Sequence, residues 1–242
     1  TLIQHDDVPQ QVTLTGLLPI SFVIPCFNEQ GTLGMIASKL EQFRENFSDR
    51  FAPQFILVDD GSTDATHQEL LTYFGGKDGY VIVQHRENRG IAAAILTGVS
   101  VATHEYVVSI DSDCSYDPLS ADRLIDALLN NPAAVMSTAS PYHEQGRVLG
   151  VPRWRLWLSK QASRRYQKAT LLDLHTFTSC FRAYRRSFFV GMELEEGGFV
   201  GIAEMLWLAS RRGGKIVEVP AELATRKLGF SKLRTLPVIR KH

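Results

Sequence analysis

Four short runs rich in β-branched and aromatic residues, at 20–24, 54–58, 80–84 and 105–110, alternate with segments of helical spacing at about 31–47, 64–74 and 89–102. The runs are apolar on both faces. Strands of that kind, separated by helices, predict a mainly parallel sheet with right-handed crossovers and helices on both faces. A further helix at 120–130 and a strand at 133–139 extend the pattern. With 242 residues and 44% hydrophobic content the chain can bury one large core.

Ligands of such sheets bind outside the carboxyl ends of the strands, where this sequence concentrates its unusual residues. Pro25-Cys26-Phe27-Asn28-Glu29 follows the first strand, and Asp59-Asp60-Gly61-Ser62-Thr63-Asp64 the second. Arg86-Glu87-Asn88-Arg89-Gly90 follows the third, and Asp111-Ser112-Asp113 the fourth. In extended backbone residues i and i+2 point the same way, so Asp111 and Asp113 can converge on one ligand. Two such acids repel, and a divalent cation removes that cost. An oxygen-only pair suits Mg²⁺ or Mn²⁺, with water and substrate phosphates completing the shell.

Each cluster also has a simpler reading. Asp111 to Asp113 could be an acidic turn before the helix that Pro118 starts, and Asp64 or Thr63 can cap the helix that follows. The cap leaves Asp59 and Asp60 unexplained. Asn28 and Glu29 could equally cap the first helix. Arg89-Gly90 opens a helix whose free N–H groups favour an anion, although Arg89 could be a solvated surface charge. Chance does not readily place four such clusters at four successive strand ends.

Net charge is zero, but its distribution is lopsided. Residues 1–146 hold 7 basic and 19 acidic side chains, whereas residues 147–242 hold 19 and 7. The acidic half can hold a metal, and the basic half can face phosphates or an anionic membrane. Residues 147–168 contain no acid and mix Trp154, Trp157 and Leu158 with Arg147, Arg153, Arg155, Lys160, Arg164, Arg165 and Lys168. A helix of that composition can lie among lipid headgroups, or pack its Trp and Leu residues on the sheet. Residues 223–242 are acid-free as well. The cysteines, Cys26, Cys114 and Cys180, are odd in number and widely spaced, which favours buried thiols in a reducing compartment. Residues 1–18 read as an N-terminal extension, and no apolar run is long enough to span a bilayer.

Val23 to Glu29, Val58 to Asp64, Asn88-Arg89-Gly90 through Ala94 to Gly98, and Asp111-Ser112-Asp113 resemble, in order and spacing, the inverting family 2 glycosyltransferases of GT-A fold. The resemblance covers 19–232, with 233–242 as a basic tail. The second half is most similar to the polyprenyl-phosphate sugar synthases, typified by dolichol-phosphate mannose synthase. Ser179 to Arg186, Glu204-Met205-Leu206, Val217 to Pro220, and Arg226-Lys227-Leu228-Gly229-Phe230-Ser231-Lys232 carry that likeness.

The resemblance implies a Rossmann-like α/β sandwich and transfer of a hexose, mannose or glucose, from a GDP- or UDP-sugar to dolichyl or undecaprenyl phosphate. It implies that Pro25, Asn28, Glu29, Asp59 and Asp60 line the nucleotide pocket with Arg89, and that Asp111 and Asp113 bind Mg²⁺ or Mn²⁺. Arg226, Ser231 and Lys232 would close over the phosphates, Arg147 and Arg153 would hold the acceptor phosphate, and Glu204 would orient the sugar or an Arg. Glu204 could instead pair with Arg211 or Arg212. Other readings are a family 2 transferase using a saccharide or protein hydroxyl, which needs a general base, and a non-catalytic nucleotide-sugar-binding relative. The expected place is the cytoplasmic face of a membrane, peripherally bound, with a separate anchor subunit as a candidate partner and no nucleic acid. A dehydrogenase is disfavoured, because no Gly-x-Gly-x-x-Gly follows the first strand. Where the family commonly has Asp and Gly, this chain has Thr176 and Cys180, with Asp173 and His175 nearby. These departures bear on the sugar and acceptor side.

Overall fold

The computed structural model describes residues 16–224. The elements in chain order are β1 (Leu18–Cys26), α1 (Leu33–Asn46), β2 (Phe51–Asp59), α2 (Thr66–Phe74), β3 (Tyr80–Gln84), α3 (Ile91–Val101), β4 (Tyr106–Ser109) and α4 (Ala121–Leu129). Then follow β5 (Ala134–Ser140), β6 (Arg147–Leu149), α5 (Arg153–Thr170), β7 (Arg182–Arg185), α6 (Arg186–Phe189), α7 (Phe199–Arg211), β8 (Lys215–Pro220) and β9 (Glu222–Ala224). The helices and strands predicted through residue 139 are all present, with ends shifted by a few residues.

Period-two alternation divides the core between the sheet's two faces. In β1 Ile20, Phe22 and Ile24 enter one cluster, with Phe43 of α1 and Leu124 of α4, while Val23 enters the other. In β2 Phe55 and Leu57 go one way, and Ile56 and Val58 the other. α1 matches this with Leu33, Ile36, Leu40 and Phe43, spaced to form one buried stripe. α3 lies close on the opposite face: a Cβ on Gly98 would stand 2.2 Å from Val23 Cγ1, so only glycine allows the contact.

The seven-stranded sheet has the order β3-β2-β1-β4-β7-β5-β8. All neighbouring pairs are parallel except the two made by β7, which runs antiparallel between β4 and β5. The sequence pattern continued the sheet from the fourth strand to the strand at 133–139. In the structure Arg182–Arg185 enters between them. Chain order reverses on either side of β1, which has β2 on one flank and β4 on the other. That reversal opens a crevice at the carboxyl ends, the topological switch point of an open α/β sheet. A second, two-stranded parallel sheet of β6 and β9 lies apart from the main one in hydrogen bonding. Among the described residues no helix is long and apolar enough to cross a membrane.

Candidate functional site at the switch point

The ends of β1 and β2 are level, with Cys26 in register with Asp59, and the Asp60 N–H donates to the Cys26 carbonyl at 2.8 Å. Beyond them the two loops are stitched together. Asn28 adopts the left-handed conformation (φ 51°), which asparagine tolerates, and its Oδ1 accepts the Thr63 N–H at 2.8 Å. Its own N–H donates to Ser62 Oγ at 3.0 Å, and the Glu29 N–H donates to Thr66 Oγ1 at 2.6 Å. The Asn28 side chain thus joins two loops instead of capping α1. Glu29 stays near that helix, where Thr32 Oγ1 donates to its Oε2 at 3.1 Å. Asp64 Oδ1 accepts the N–H of Thr66, the first residue of α2, at 3.0 Å.

Adjacent acids at the end of β2 face different partners. Asp59 is fully buried; its Oδ1 accepts the Ser62 N–H at 3.0 Å and its Oδ2 accepts Gln84 Nε2 at 3.3 Å. His67 Nδ1 lies 3.1 Å from the same Oδ2, off the direction of a hydrogen bond. A base N–H reaching Asp59 Oδ2 therefore meets Gln84 and His67 first. Asp60 receives four donors: His85 Nδ1 at 2.7 Å and the Arg89 N–H at 2.9 Å on Oδ1, Asn88 Nδ2 at 3.0 Å and the Gly90 N–H at 2.8 Å on Oδ2.

The free helix terminus expected at Arg89-Gly90 is thereby corrected. The anion at the start of α3 is the chain's own Asp60, and the N–H groups of Ala92 and Ala93 donate to the Gly197 carbonyl at 2.7 and 3.2 Å. The Arg89 side chain itself is exposed.

Asp111 and Asp113 lie in the turn after β4, with the Cys114 N–H donating to the Asp111 carbonyl at 3.4 Å. Asp113 Oδ1 accepts the Ser115 N–H at 2.8 Å and the Ser115 hydroxyl at 2.5 Å. The loop ahead of β7 lies against this turn, since Ser109 Oγ donates to the Cys180 carbonyl at 2.5 Å. Burial pushes the Cys180 thiol well up, the adjacent Asp111 carboxylate adds to the shift, and Arg182 opposes it. Burial also pushes the Tyr116 phenol up, a hydrogen bond with Ser179 opposes this, and Asp111 adds to it. Asp111 is thus a half-buried carboxylate beside the buried Cys180 thiol and Tyr116 phenol. A hard cation fits two such oxygen donors. Among the described residues no group of three or more His, Cys, Asp or Glu is arranged to hold a metal, so a diphosphate and water would have to complete the shell.

The remaining candidates fall on other elements of the chain. Glu204, on α7, accepts the N–H groups of Glu195 and Glu196 at 2.9 and 3.0 Å, which secures the loop that seals α3. Arg211 instead lies over the Trp207 ring. Arg147 opens β6, exposed, in register with Glu222, and β9 ends at Ala224, whose N–H donates to the Ser115 carbonyl at 2.9 Å. Pro25 lies in β1, in register with Val58. Arg153 opens α5. Arg226, Ser231 and Lys232 lie outside the described residues.

Thr176 is buried, hydrogen-bonded to Ser140 Oγ at 2.8 Å, and its N–H and that of His175 both donate to Glu218 Oε1. His175 Nδ1 lies 2.6 Å from Glu218 Oε2. A carboxylate only accepts, so that nitrogen carries the proton. Sequence reasoning did not single out His67, Glu218 or Arg182 for these supporting roles. Arg182 is wholly buried and donates to the Ile202 and Phe177 carbonyls, both at 2.7 Å. The signal in the sequence was an arginine inside a strand-like stretch of the Ser179 to Arg186 run.

Residues 21–191 match the family model described as glycosyl transferase family 2. Over 220 residues, 87% of this chain and 79% of the relative, the sequence is 30% identical to the polyprenol monophosphomannose synthase of Mycolicibacterium smegmatis. It is 28% identical over 222 residues to the dolichol-phosphate mannosyltransferase of Pyrococcus furiosus, covering 90% of this chain but only 60% of that protein. A solved structure with a similar fold is glucosyl-3-phosphoglycerate synthase from Mycobacterium tuberculosis, in complex with Mn²⁺, UDP and glucosyl-3-phosphoglycerate. The match has a TM-score of 0.64 at 21% identity and covers 92% of this chain and 76% of that one. The architecture is the expected GT-A fold.

Proposed function

The chain belongs to glycosyl transferase family 2, and from that premise we propose that it moves a hexose, mannose or glucose, from a GDP- or UDP-sugar to a polyprenyl phosphate, with inversion at the anomeric carbon. The observation carrying this reading is that Asp111 and Asp113 stand at the switch point beside the loops of β1 and β2, while β9 ends hydrogen-bonded to Ser115. Both relatives described above are named for transfer to polyprenol or dolichol phosphate.

In this reading the diphosphate lies over the turn after β4. Bound there, Mg²⁺ or Mn²⁺ would neutralise charge gathering on the departing nucleoside diphosphate. Asp59 accepts a base N–H once Gln84 or His67 yields, and Asn28 and Glu29 keep that loop in place, with Asp60 holding Arg89 close by. In the same reading Arg226, Ser231 and Lys232 of the basic tail serve as donors to the phosphates.

A lipid phosphate is anionic at neutral pH and needs no base to attack the anomeric carbon; Arg147 and Arg153 hold it in line. Glu204 favours this acceptor over a saccharide hydroxyl, because both its oxygens already accept backbone N–H groups. It acts as a positioning residue for the 195–197 loop. The protein works peripherally at the cytoplasmic face of a membrane, alone or with a separate anchor subunit.

The test is transfer of labelled hexose from GDP-mannose and from UDP-glucose to polyprenyl phosphate, with and without Mn²⁺. Metal-dependent product that disappears in Asp113→Ala is expected. Undiminished turnover by that variant, or no thermal response to GDP or UDP with Mn²⁺, overturns the reading.

A further inference from the structure

α5 presents an exposed stripe that recurs every three or four residues: Trp154, Trp157, Lys160, Arg164 and Lys168, with Arg165 alongside. Trp154 is 55% exposed and Trp157 62%, among the most exposed large apolar side chains of the described residues. The 18-residue helix is about 27 Å long. Leu171, the residue after it, is 89% exposed, and Leu149, at the end of β6, is 48% exposed. Water around two indoles on one helical face is costly, and such a face is ordinarily covered.

Charge narrows what can cover it. From Arg147 to Leu172 the chain carries no Asp or Glu. Residues 225–242 contain Arg226, Lys227, Lys232, Arg234, Arg240 and Lys241 and no acid, so the chain's own end is not complementary. The same stripe on a second copy is equally basic. An anionic bilayer surface matches both features, because indoles settle at the headgroup level while the cations pair with lipid phosphates. We propose that this stripe of α5 is a docking face for an anionic membrane surface.

The helix is also well placed to serve the site. Lys160 Nζ lies 5.5 Å from the Tyr142 ring centre, and the Ser159 hydroxyl bonds the Tyr142 phenol. Tyr142 lies two residues past the carboxyl end of β5. Docking through α5 thus holds the bilayer beside the strand ends. Only this benefit rests on the proposed lipid-phosphate acceptor; the docking face does not.

The experiment is co-sedimentation of the full chain with vesicles of phosphatidylcholine alone and of phosphatidylcholine mixed with phosphatidylglycerol, at low and high salt. Tryptophan emission is followed in a Trp207→Phe background. The wild type should bind only the anionic vesicles, shift its emission to the blue, and dissociate in high salt. Arg164→Glu/Lys168→Glu should bind at least about tenfold more weakly, and Trp157→Ser should weaken binding and reduce the blue shift. Should the charge reversal perturb folding, Arg164→Gln/Lys168→Gln should show the same loss at a smaller size.

Absence of wild-type binding to anionic vesicles, or unchanged binding by the folded charge variants, overturns the docking face. So does self-association that the variants abolish while vesicle binding persists, since the occupant would then be the acidic half of another copy. Arg164→Glu/Lys168→Glu should still transfer hexose to a short, water-soluble prenyl phosphate at the wild-type rate. A wild type that docks yet uses no prenyl phosphate overturns the proposed function and leaves the docking face standing.

Discussion

The backbone N–H of Ala224 donates to the carbonyl of Ser115 at 2.9 Å, and Ser115 turns its own N–H and hydroxyl onto Asp113 Oδ1 at 2.8 and 2.5 Å. The last described strand is thus tied to the turn that carries the candidate metal ligands. A hydroxyl that orients a ligating carboxylate commonly changes metal affinity about ten- to hundredfold when removed. Ser115→Ala should weaken Mn²⁺ by about tenfold or more, read from Mn²⁺ titration of nucleotide binding, while the melting temperature falls little. An unchanged Mn²⁺ midpoint would count against Asp113 as a ligand.

Asp60 should matter more for stability than for chemistry. Its two oxygens take four donors from 85–90, and an amide would turn its own N–H₂ toward some of them. Asp60→Asn is expected to cost about 2–4 kcal/mol and to lower the melting temperature by about 5–15 °C. Calorimetry decides this, and loss of nucleotide binding at full thermal stability would argue for direct ligand contact.

Gly61 is fixed by its surroundings. It has φ +70°, and a Cβ there would lie 2.3 Å from the Glu87 carbonyl carbon and 2.5 Å from the Asn88 nitrogen. Gly61→Ala combines left-handed strain with a backbone clash, for an expected cost of about 2 kcal/mol or more. Urea denaturation measures it. Gly76, also at positive φ but with nothing within 4 Å, should cost less when changed to Ala.

Alkaline stability should respond to Tyr184. Burial pushes its phenol up, while Arg182 and the hydrogen bond with the Ser109 hydroxyl pull the other way. In the unfolded chain a tyrosine ionises near about pH 10. Its contribution is therefore complete below that pH and is lost as pH rises toward the higher folded value. Tyr184→Phe should be less stable at pH 8, through loss of a buried hydrogen bond, yet lose stability less steeply between pH 9.5 and pH 11. Parallel slopes in urea titrations across that range would exclude the effect.

Much of the site could be read from the chain because strand periodicity and strand ends are local properties. Val107 and Val108 face opposite cores through the two-residue repeat of extended backbone, whereas Asp111 and Asp113, expected to share a side by that repeat, fall in the turn beyond the end of β4. The adjacent pair Asp59 and Asp60 shows where this stops. The sequence marks both as unusual, but only the packed loops determine that Asp60 is spent on the start of α3 while Asp59 lies under His67 and Gln84.

The sequence by itself determined the alternation of strands and helices, the polar clusters at four strand ends, and the basic, Trp-bearing stretch after residue 146. Tertiary structure decided the antiparallel entry of β7, the meeting of Cys180 with Asp111 across 69 residues, and the engagement of Glu204 with the 195–197 loop. The physical reason lies in what each depends on. Backbone sterics and side-chain period act between near neighbours, whereas the partner of a buried carboxylate or guanidinium is chosen by which distant donors the whole core brings within hydrogen-bonding reach.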